Sequence, residues 1–458
     1  MLPTKGYVQQ LTRDWVNDVA TWECNFMDIT NFCNQHTSVI GLQWGDEGKG
    51  KIVDILSEGF DFAVRWNGGS NAGHSVQVGD QKYAFHLIPS AILRPQCISV
   101  LANGVVVDPG QLIREIDALQ QRGIRVDNNL KISSQAHVVM PYHSLQDRLA
   151  EEKLGDRKIG TTSRGIGPCY ADKASRHFAV RMADLIDPSR LRDRLSHIVP
   201  EKNAIFSALF SSPPLDWQAI YDQYVPLGQR LQPLVCNTTA LLHRAMAGAK
   251  KILFEGANAT LLDLDHGTFP YVTSSNCGTG VCVGAGVPPQ SIGRVLGVVK
   301  AYSSRVGGGA FPTEQENSIG EKIRDRGREF GTTTGRPRRC GWLDLVAVRY
   351  AAAVTGATGL CIMLLDVLST FDEIKICTRY ATPNGETDEF PADANELSRV
   401  KPVYHTMRGW HDDLKHIRHV DALPSEARAY LGYIEEFVGV PVKMVSIGPG
   451  RDETLLIN

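Results

Sequence analysis

Acids and bases set among glycines are the first feature of this sequence that could do chemistry. Gly41-Leu-Gln-Trp-Gly-Asp-Glu-Gly-Lys-Gly-Lys51 places two carboxylates and two ammonium groups in one glycine-rich stretch. The backbone N–H groups of such a loop, with the start of a following helix, cradle phosphate, and Lys49 and Lys51 add positive charge. The stretch departs from GxxxxGK[ST], which needs Gly at Gln43 and Ser or Thr at Gly50. Asp46 and Glu47 repel phosphate unless one of them binds Mg2+ or moves a proton. The plain alternative is an ordinary glycine-rich turn.

Further segments carry polar groups of complementary kinds. Trp66-Asn-Gly-Gly-Ser-Asn-Ala-Gly-His74 ends a glycine loop on a histidine, an acid–base group if it reaches the same crevice and a structural one otherwise. Ile159–Pro168, Phe254–Asp263 and Pro270–Asn276 set hydroxyls and amides beside glycine, which suits orienting a polar ligand or making turns. In Thr332-Thr-Thr-Gly-Arg-Pro-Arg-Arg339, Arg336 and Arg338 can grip carboxylate or phosphate bidentately, or belong to a solvated basic loop. Leu364-Leu-Asp366 ends an apolar run with a carboxylate that can accept the guanine N1–H and 2-amino group, or cap a helix. Gly278–Gly284 has the spacing GxGxxxG with no strand before it, and reads as a loop rather than a dinucleotide fingerprint.

The elements that must position these groups alternate. Thr37–Leu42 reads as a strand entering the first loop, and 51–56 as the helix leaving it. Strands are predicted at 61–66, 97–102, 251–254, 294–299, 360–365 and 442–446, and a helix from Asp108-Pro109 with Leu112, Ile113, Ile116 and Leu119 on one face. About 181–250 reads as a helical insertion. The expected fold is α/β, one large domain over 37–458 around a mainly parallel sheet, with the motif loops at the strand ends.

Composition sets the outer limits. Among 458 residues, 48 Lys and Arg balance 50 Asp and Glu, so no bulk charge favours nucleic acid or an anionic membrane, and positive charge must be concentrated locally. No apolar run approaches the ~18 residues of a membrane span, and a cytoplasmic protein is expected. The ten cysteines lack metal or CxxC spacing and read as reduced packing residues. Of 43 glycines, 24 fall within the motif loops, so the glycine excess belongs to those loops.

Taken together, WGDEGKGK at Trp44–Lys51, NAGH at Asn71–His74, GTT-RGIGP at Gly160–Pro168, DHGT-PYVTSSN at Asp265–Asn276 and GWLD at Gly341–Asp344 closely resemble the adenylosuccinate synthetase family over 38–458. The resemblance implies a homodimeric ligase that uses Mg2+ and GTP to join IMP and L-aspartate through 6-phosphoryl-IMP. It implies Asp46 as base and His74 as acid, and Mg2+ held by Asp46 and Gly73. GTP would meet Gly45, Asp46, Glu47, Gly48, Lys49, Gly50, Lys51, Gly73, His74 and Ser75, and its guanosine Arg338, Leu364, Leu365, Asp366, Ser446, Ile447 and Gly448. IMP would meet Asp46, Glu47, Gly48, Lys49, Asn71, Ala72, Gly73, His74, Thr162, Asn258, Thr273 and Arg336, with Arg176 reaching into the neighbouring subunit's site. L-Aspartate would lie in Thr332, Thr333, Thr334, Gly335, Arg336, Pro337 and Arg338.

Three positions depart from the family pattern. Leu364 replaces the Lys of a TKxD motif, Ser70 stands where His is common, and Pro337 stiffens the aspartate loop. Leu364 motivates two alternatives: a nucleotide-binding paralogue with altered catalysis, or the same ligase with relaxed ATP/GTP preference. A GTPase switch would need a Ser or Thr at Gly50. Residues 1–36 extend beyond the family's usual start, with Met27 a candidate initiator, and are expected to be poorly ordered.

Overall fold

The computed structural model describes residues 29, 32–331, 335, 337–391 and 393–457. The expected N-terminal extension therefore falls almost wholly outside the described residues. A ten-stranded sheet forms the centre of the molecule. Its strands, in chain order, are β1 (Thr37–Gly41), β2 (Phe62–Arg65), β3 (Ile98–Leu101), β4 (Leu130–Ser133), β5 (Val235–Cys236), β6 (Ile252–Ala259), β7 (Arg294–Lys300), β8 (Gly359–Met363), β9 (Val442–Ser446) and β10 (Thr454–Leu456). They lie in the order β10-β9-β8-β7-β1-β6-β2-β3-β4-β5, every pair parallel except β9 and β10.

Parallel pairing has one decisive consequence. The C-terminal ends of β1, β2, β6, β7, β8 and β9 all meet one rim, so six loops distant in sequence open at one crevice. Parallel strands buried on both faces must be apolar throughout, as the Val, Ile and Leu of β1, β7 and β8 are.

Helix α1 (Lys49–Leu56) leaves the first loop with Ile52, Val53 and Leu56 packed against Val39, Leu253, Val298 and Met363. Each such side chain contributes about 1.5–3 kcal/mol on burial, anchoring the loop to the sheet. Helix α2 (Pro109–Gln121) is capped as its sequence predicts: the Asp108 carboxylate accepts from the Gln111 N–H at 2.9 Å, Pro109 begins the helix, and the four expected apolar residues are buried. The segment 181–250 is helical over Met182–Leu185, Pro188–Phe210, Trp217–Leu231 and Thr238–Ala247, interrupted by β5.

Two features depart from the sequence reading. Strand β6 continues through Gly256-Ala-Asn-Ala259, a stretch also compatible with a simple turn; its register against β1 breaks between Val39 and Gly41. A Cβ at Gly256 would stand 3.2 Å from the Val39 carbonyl, so glycine permits the irregularity that places Asn258 on the rim. A second sheet, built from Leu343–Asp344, Glu373–Thr382, Gly385–Thr387 and Lys401–Arg408, occupies a region where no elements were predicted. The Gly278–Gly284 stretch enters a short helix, Val281–Ala285, whose glycines approach the Trp66 ring and backbone, as packing rather than phosphate binding requires. The nine cysteines among the described residues are free.

Candidate active site

The first loop sorts its two acids by burial. Glu47 is fully buried: its carboxylate accepts from the Gln43 and Gly45 N–H groups at 3.2 and 2.9 Å and from Lys49 Nζ at 2.6 Å. A side chain at Gly41 would collide with it, so that glycine and that acid form one device shaping the loop. Asp46, at φ 60°, turns outward with its side chain 32% exposed. Of the two acids it is the one available to metal or proton. Gly48, at φ 90°, leads into α1 with no side chain capping the first turn, which leaves helix N–H groups for an anion.

Lys51 does not point into this mouth. Its buried ammonium donates to Ser446 Oγ at 2.8 Å, the Gly448 carbonyl at 2.7 Å and the Glu453 carbonyl at 3.2 Å. It ties α1 to the turn after β9, and burial pushes its pKa down to about 7. The expected guanosine-binding turn and the phosphate loop are thus one mechanical unit. Asp54 on α1 strengthens it through an ion pair with Arg451.

His74 lies at the end of the Trp66–His74 loop, where a hairpin of His74–Val78 and Gln81–Phe85 begins. The Glu255 carboxylate of β6 meets His74 Nδ1, while Nε2 lies 3.3 Å from the Ala257 carbonyl. Glu255 also accepts from Arg65 Nη1 at 3.3 Å, from the Ser90 N–H at 2.9 Å and from Ser90 Oγ at 3.3 Å. Burial and the Arg65 cation lower the His74 pKa, with Glu255 pulling the other way. An imidazolium so placed readily gives up its proton. A Cβ on Gly50 would sit 3.0 Å from His74 Cβ, so the histidine packs directly against the start of α1.

Around this pair the ligand-facing groups converge in part. Asn71 Nδ2 lies 3.4 Å from Thr273 Oγ1. Arg164 bonds the Ser70 carbonyl, bringing the 160–165 loop, with exposed Thr162, against the loop holding Asn71. Ala72 is buried, and Gly73 and Ser75 are exposed. Among the described residues, the buried Oδ1 atoms of Asn71, Asn258 and Asp366, with Ser70 Oγ and Arg338 Nε, have no hydrogen-bond partner. These five atoms lie on the loops expected to hold ligand, where a polar ligand would complete their bonding.

On the nucleoside side, Leu364 (φ 62°) starts the short turn after β8 and packs into the core beside Leu365. Burial raises the Asp366 pKa, with Lys51 and Arg326 opposing. Ser446 Oγ donates to the Gly448 carbonyl at 2.9 Å, closing the turn that contains Ile447.

Arg338 stands at the base of the 331–336 loop, where Phe330 pairs with Pro337 and the Gly335 N–H donates to the Gly331 carbonyl at 2.8 Å. Its Nη2 lies 2.9 Å from Asp46 Oδ2 and its Nη1 2.8 Å from Glu329 Oε2. Thr332, Thr333, Thr334 and Arg336 fall outside the described residues. Arg176, exposed at the end of helix Ile166–Ser175, lines a cavity of about 620 Å3 with His137, Lys173, Arg181, Arg190 and Arg194. Burial, helped by Lys173 and Arg181, pushes the His137 pKa down to about 3, and Asp184 and Asp193 share the lining.

Sequence reasoning missed Arg65, Glu255 and Lys300. Arg65 and Lys300 each close an apolar strand with a charge, the signal that singled out Asp366, whereas Glu255 lies inside β6 after its apolar run. For Mg2+, the donors Asp46 and Gly73 are exposed hard oxygens, which fits an ion that takes few protein ligands and completes its shell with water and phosphate. Among the described residues no group of three His, Cys, Asp or Glu gathers to hold a metal unaided.

Parallel strands ending in an uncapped phosphate-type loop, beside a buried histidine–carboxylate pair, define an α/β enzyme of nucleotide chemistry. Comparison with known proteins narrows this. The adenylosuccinate synthetase family model matches residues 38–455. Adenylosuccinate synthetases of Alkaliphilus metalliredigens and Gloeobacter violaceus are 47% and 49% identical over 419 and 420 residues, covering 91% and 92% of this chain and 98% and 95% of theirs. The structure of fully ligated adenylosuccinate synthetase from Plasmodium falciparum matches with a TM-score of 0.87 at 35% identity, covering 93% of this chain and 100% of that one. The chain belongs to the adenylosuccinate synthetase family, the ligases that join IMP and L-aspartate with GTP in AMP biosynthesis. A paralogue with altered catalysis is not favoured.

Proposed function

We propose that Asp46 takes the N1 proton of IMP while His74, protonated and oriented by Glu255, supports transfer of the GTP γ-phosphate to O6. Deprotonation at N1 makes O6 a nucleophile, and phosphorylation turns a poor leaving group into phosphate. The aspartate amine then displaces phosphate at C6, giving adenylosuccinate, GDP and phosphate. The loop from Gly45 to Lys51 and the uncapped start of α1 hold the triphosphate; Asn71, Thr162, Asn258, Thr273 and Arg336 hold IMP; Arg338 and the 332–338 loop hold L-aspartate. Asp46 and the Gly73 carbonyl would hold Mg2+, which when bound neutralises charge developing between the β- and γ-phosphates.

Asp366, half-buried with an unpartnered Oδ1, supports guanine over adenine despite Leu364. Arg176, in a cavity lined by none of the rim residues, supports a homodimer in which it completes the second subunit's IMP site. A cytoplasmic location accords with the absence, among the described residues, of any helix long and apolar enough to cross a membrane. The observation that carries the mechanism is the outward Asp46 and the inward His74–Glu255 pair at adjoining strand ends. The test is incubation with IMP, L-aspartate, Mg2+ and either GTP or ATP, following adenylosuccinate. Product with GTP alone is expected. Equal rates with ATP would overturn the guanine assignment, and no product with either would overturn the proposed roles.

A further inference from the structure

Between the end of β7 and Arg338 lies a buried ionic cluster that the mechanism above does not use. Glu329, Lys300 and Tyr302 are almost wholly inaccessible. Glu329 Oε1 accepts from Lys300 Nζ and from the Tyr302 hydroxyl, both at 2.6 Å, and Oε2 accepts from Arg338 Nη1 at 2.8 Å. The backbone adds a second tie, the Arg338 N–H donating to the Glu329 carbonyl at 2.9 Å, and Arg324 Nε holds the Arg338 carbonyl at 2.8 Å. Lys300 Nζ also donates to Ser304 Oγ at 2.6 Å, so each of its contacts is internal. The same strand end reaches the phosphate loop: the Lys300 N–H donates to Gln43 Oε1 at 2.9 Å and Gln43 Nε2 to the Tyr302 carbonyl at 2.8 Å.

A buried carboxylate with two fixed donors on one oxygen has no freedom to follow Arg338. It can only hold it. One face of the guanidinium is spent on Glu329, Nη2 reaches Asp46 of the phosphate loop, and the buried Nε has no partner, so the group is fixed from one side with donor capacity left over. We propose that Glu329 is a positioning residue for the ligase: clamped by Lys300 and Tyr302, it sets the guanidinium of Arg338 in the orientation that receives the substrate carboxylate. A flexible arginine at a loop base would lose rotamer freedom on every binding event; one already held by a carboxylate has lost it beforehand.

This inference rests on the reading of Arg338 as an aspartate-binding group, and the experiment separates the two. Steady-state kinetics of Glu329→Gln, Arg338→Met and the double variant, with melting temperatures, are the measurement. Glu329→Gln removes one charge-assisted bond, so KM for L-aspartate should rise by about tenfold or more, with KM for IMP near wild type. In the Arg338→Met background the same substitution should change KM for L-aspartate no further, since both act through one group. Normal KM for L-aspartate in Arg338→Met would overturn the reading of Arg338 itself. A raised KM there with a wild-type value in Glu329→Gln, or additive effects in the double variant, would overturn only the role of Glu329. If Glu329→Gln does not fold, Tyr302→Phe decides: it removes one clamp donor and keeps the ring. A rise in KM for L-aspartate of a few-fold supports the proposal, and an unchanged value overturns it.

Discussion

Replacing Glu255 by Gln tests how far His74, the proposed acid, depends on its buried partner. The substitution keeps the shape of the side chain and removes its charge, so the bond to His74 Nδ1 changes from charge-assisted to neutral. That difference is about 2 kcal/mol, and its loss moves the His74 pKa further down. The sign follows from the environment: burial and Arg65 already depress this pKa and Glu255 alone among its close partners raises it, so its loss depresses it further. If turnover needs protonated His74, the alkaline limb of kcat moves to lower pH. Above both limbs the rate falls roughly 30-fold, and toward acid pH the gap closes. Stability is a separate axis, because Arg65 is buried and loses its counter-charge; removing one partner of such a pair costs about 3–5 kcal/mol. Adding Arg65→Met to Glu255→Gln should therefore recover melting temperature without recovering rate. A pH–rate profile with an unmoved alkaline limb in folded Glu255→Gln protein would refute the reasoning.

Three further outcomes are expected. Asp46→Asn should lower kcat by at least about 10²-fold with little change in melting temperature, since this side chain is partly exposed and its ion pair faces solvent; near-normal turnover would place the base elsewhere. Arg176→Leu should raise KM for IMP, and mixing it with Asp46→Asn protein should restore activity, because mixed dimers would contain one site with both residues intact; no recovery would count against a shared site. Asp344 is fully buried, caps the helix Leu345–Thr355 and accepts from Tyr380, and burial raises its pKa from 3.8 to about 6. Between those values the folded state binds the extra proton, so wild-type stability falls as pH rises to about 6 and is level above it. Asp344→Asn lacks this loss, so its stability relative to wild type should climb by about 3 kcal/mol between pH 4 and 6, read as the difference in denaturant midpoints; a constant difference would show that Asp344 titrates normally.

The strands and the loops between them were legible because parallel strands advertise themselves as apolar runs, and because glycine is required where a loop must approach phosphate. The capped helix at Asp108-Pro109 was legible for the same local reason. What the sequence did not disclose is direction. Asp46 and Glu47 are neighbours of like chemistry, and only the left-handed backbone at Asp46 and the cavity beneath Gly41 decide that one faces solvent and the other its own loop. Lys51 looks like a phosphate ligand from its place in the motif, yet its ammonium is taken by Ser446 and Gly448, a tertiary contact spanning nearly 400 positions. The His74–Glu255–Arg65 cluster was hidden for a related reason. Its members lie on three different segments, and their meeting is set by β2 and β6 lying side by side.

The contact between Asp46 and Arg338 joins a group suited to a cation with a group suited to an anion, while Glu329 holds the other side of the guanidinium. On the proposed roles, a divalent ion at Asp46 would release Arg338 Nη2, and a carboxylate at Nη2 would release Asp46. Thermodynamic reciprocity then requires the two ligands to assist one another by the same factor, whichever arrives first. On those roles, cooperation between metal and amino acid would follow from a single ion pair, without any movement of domains.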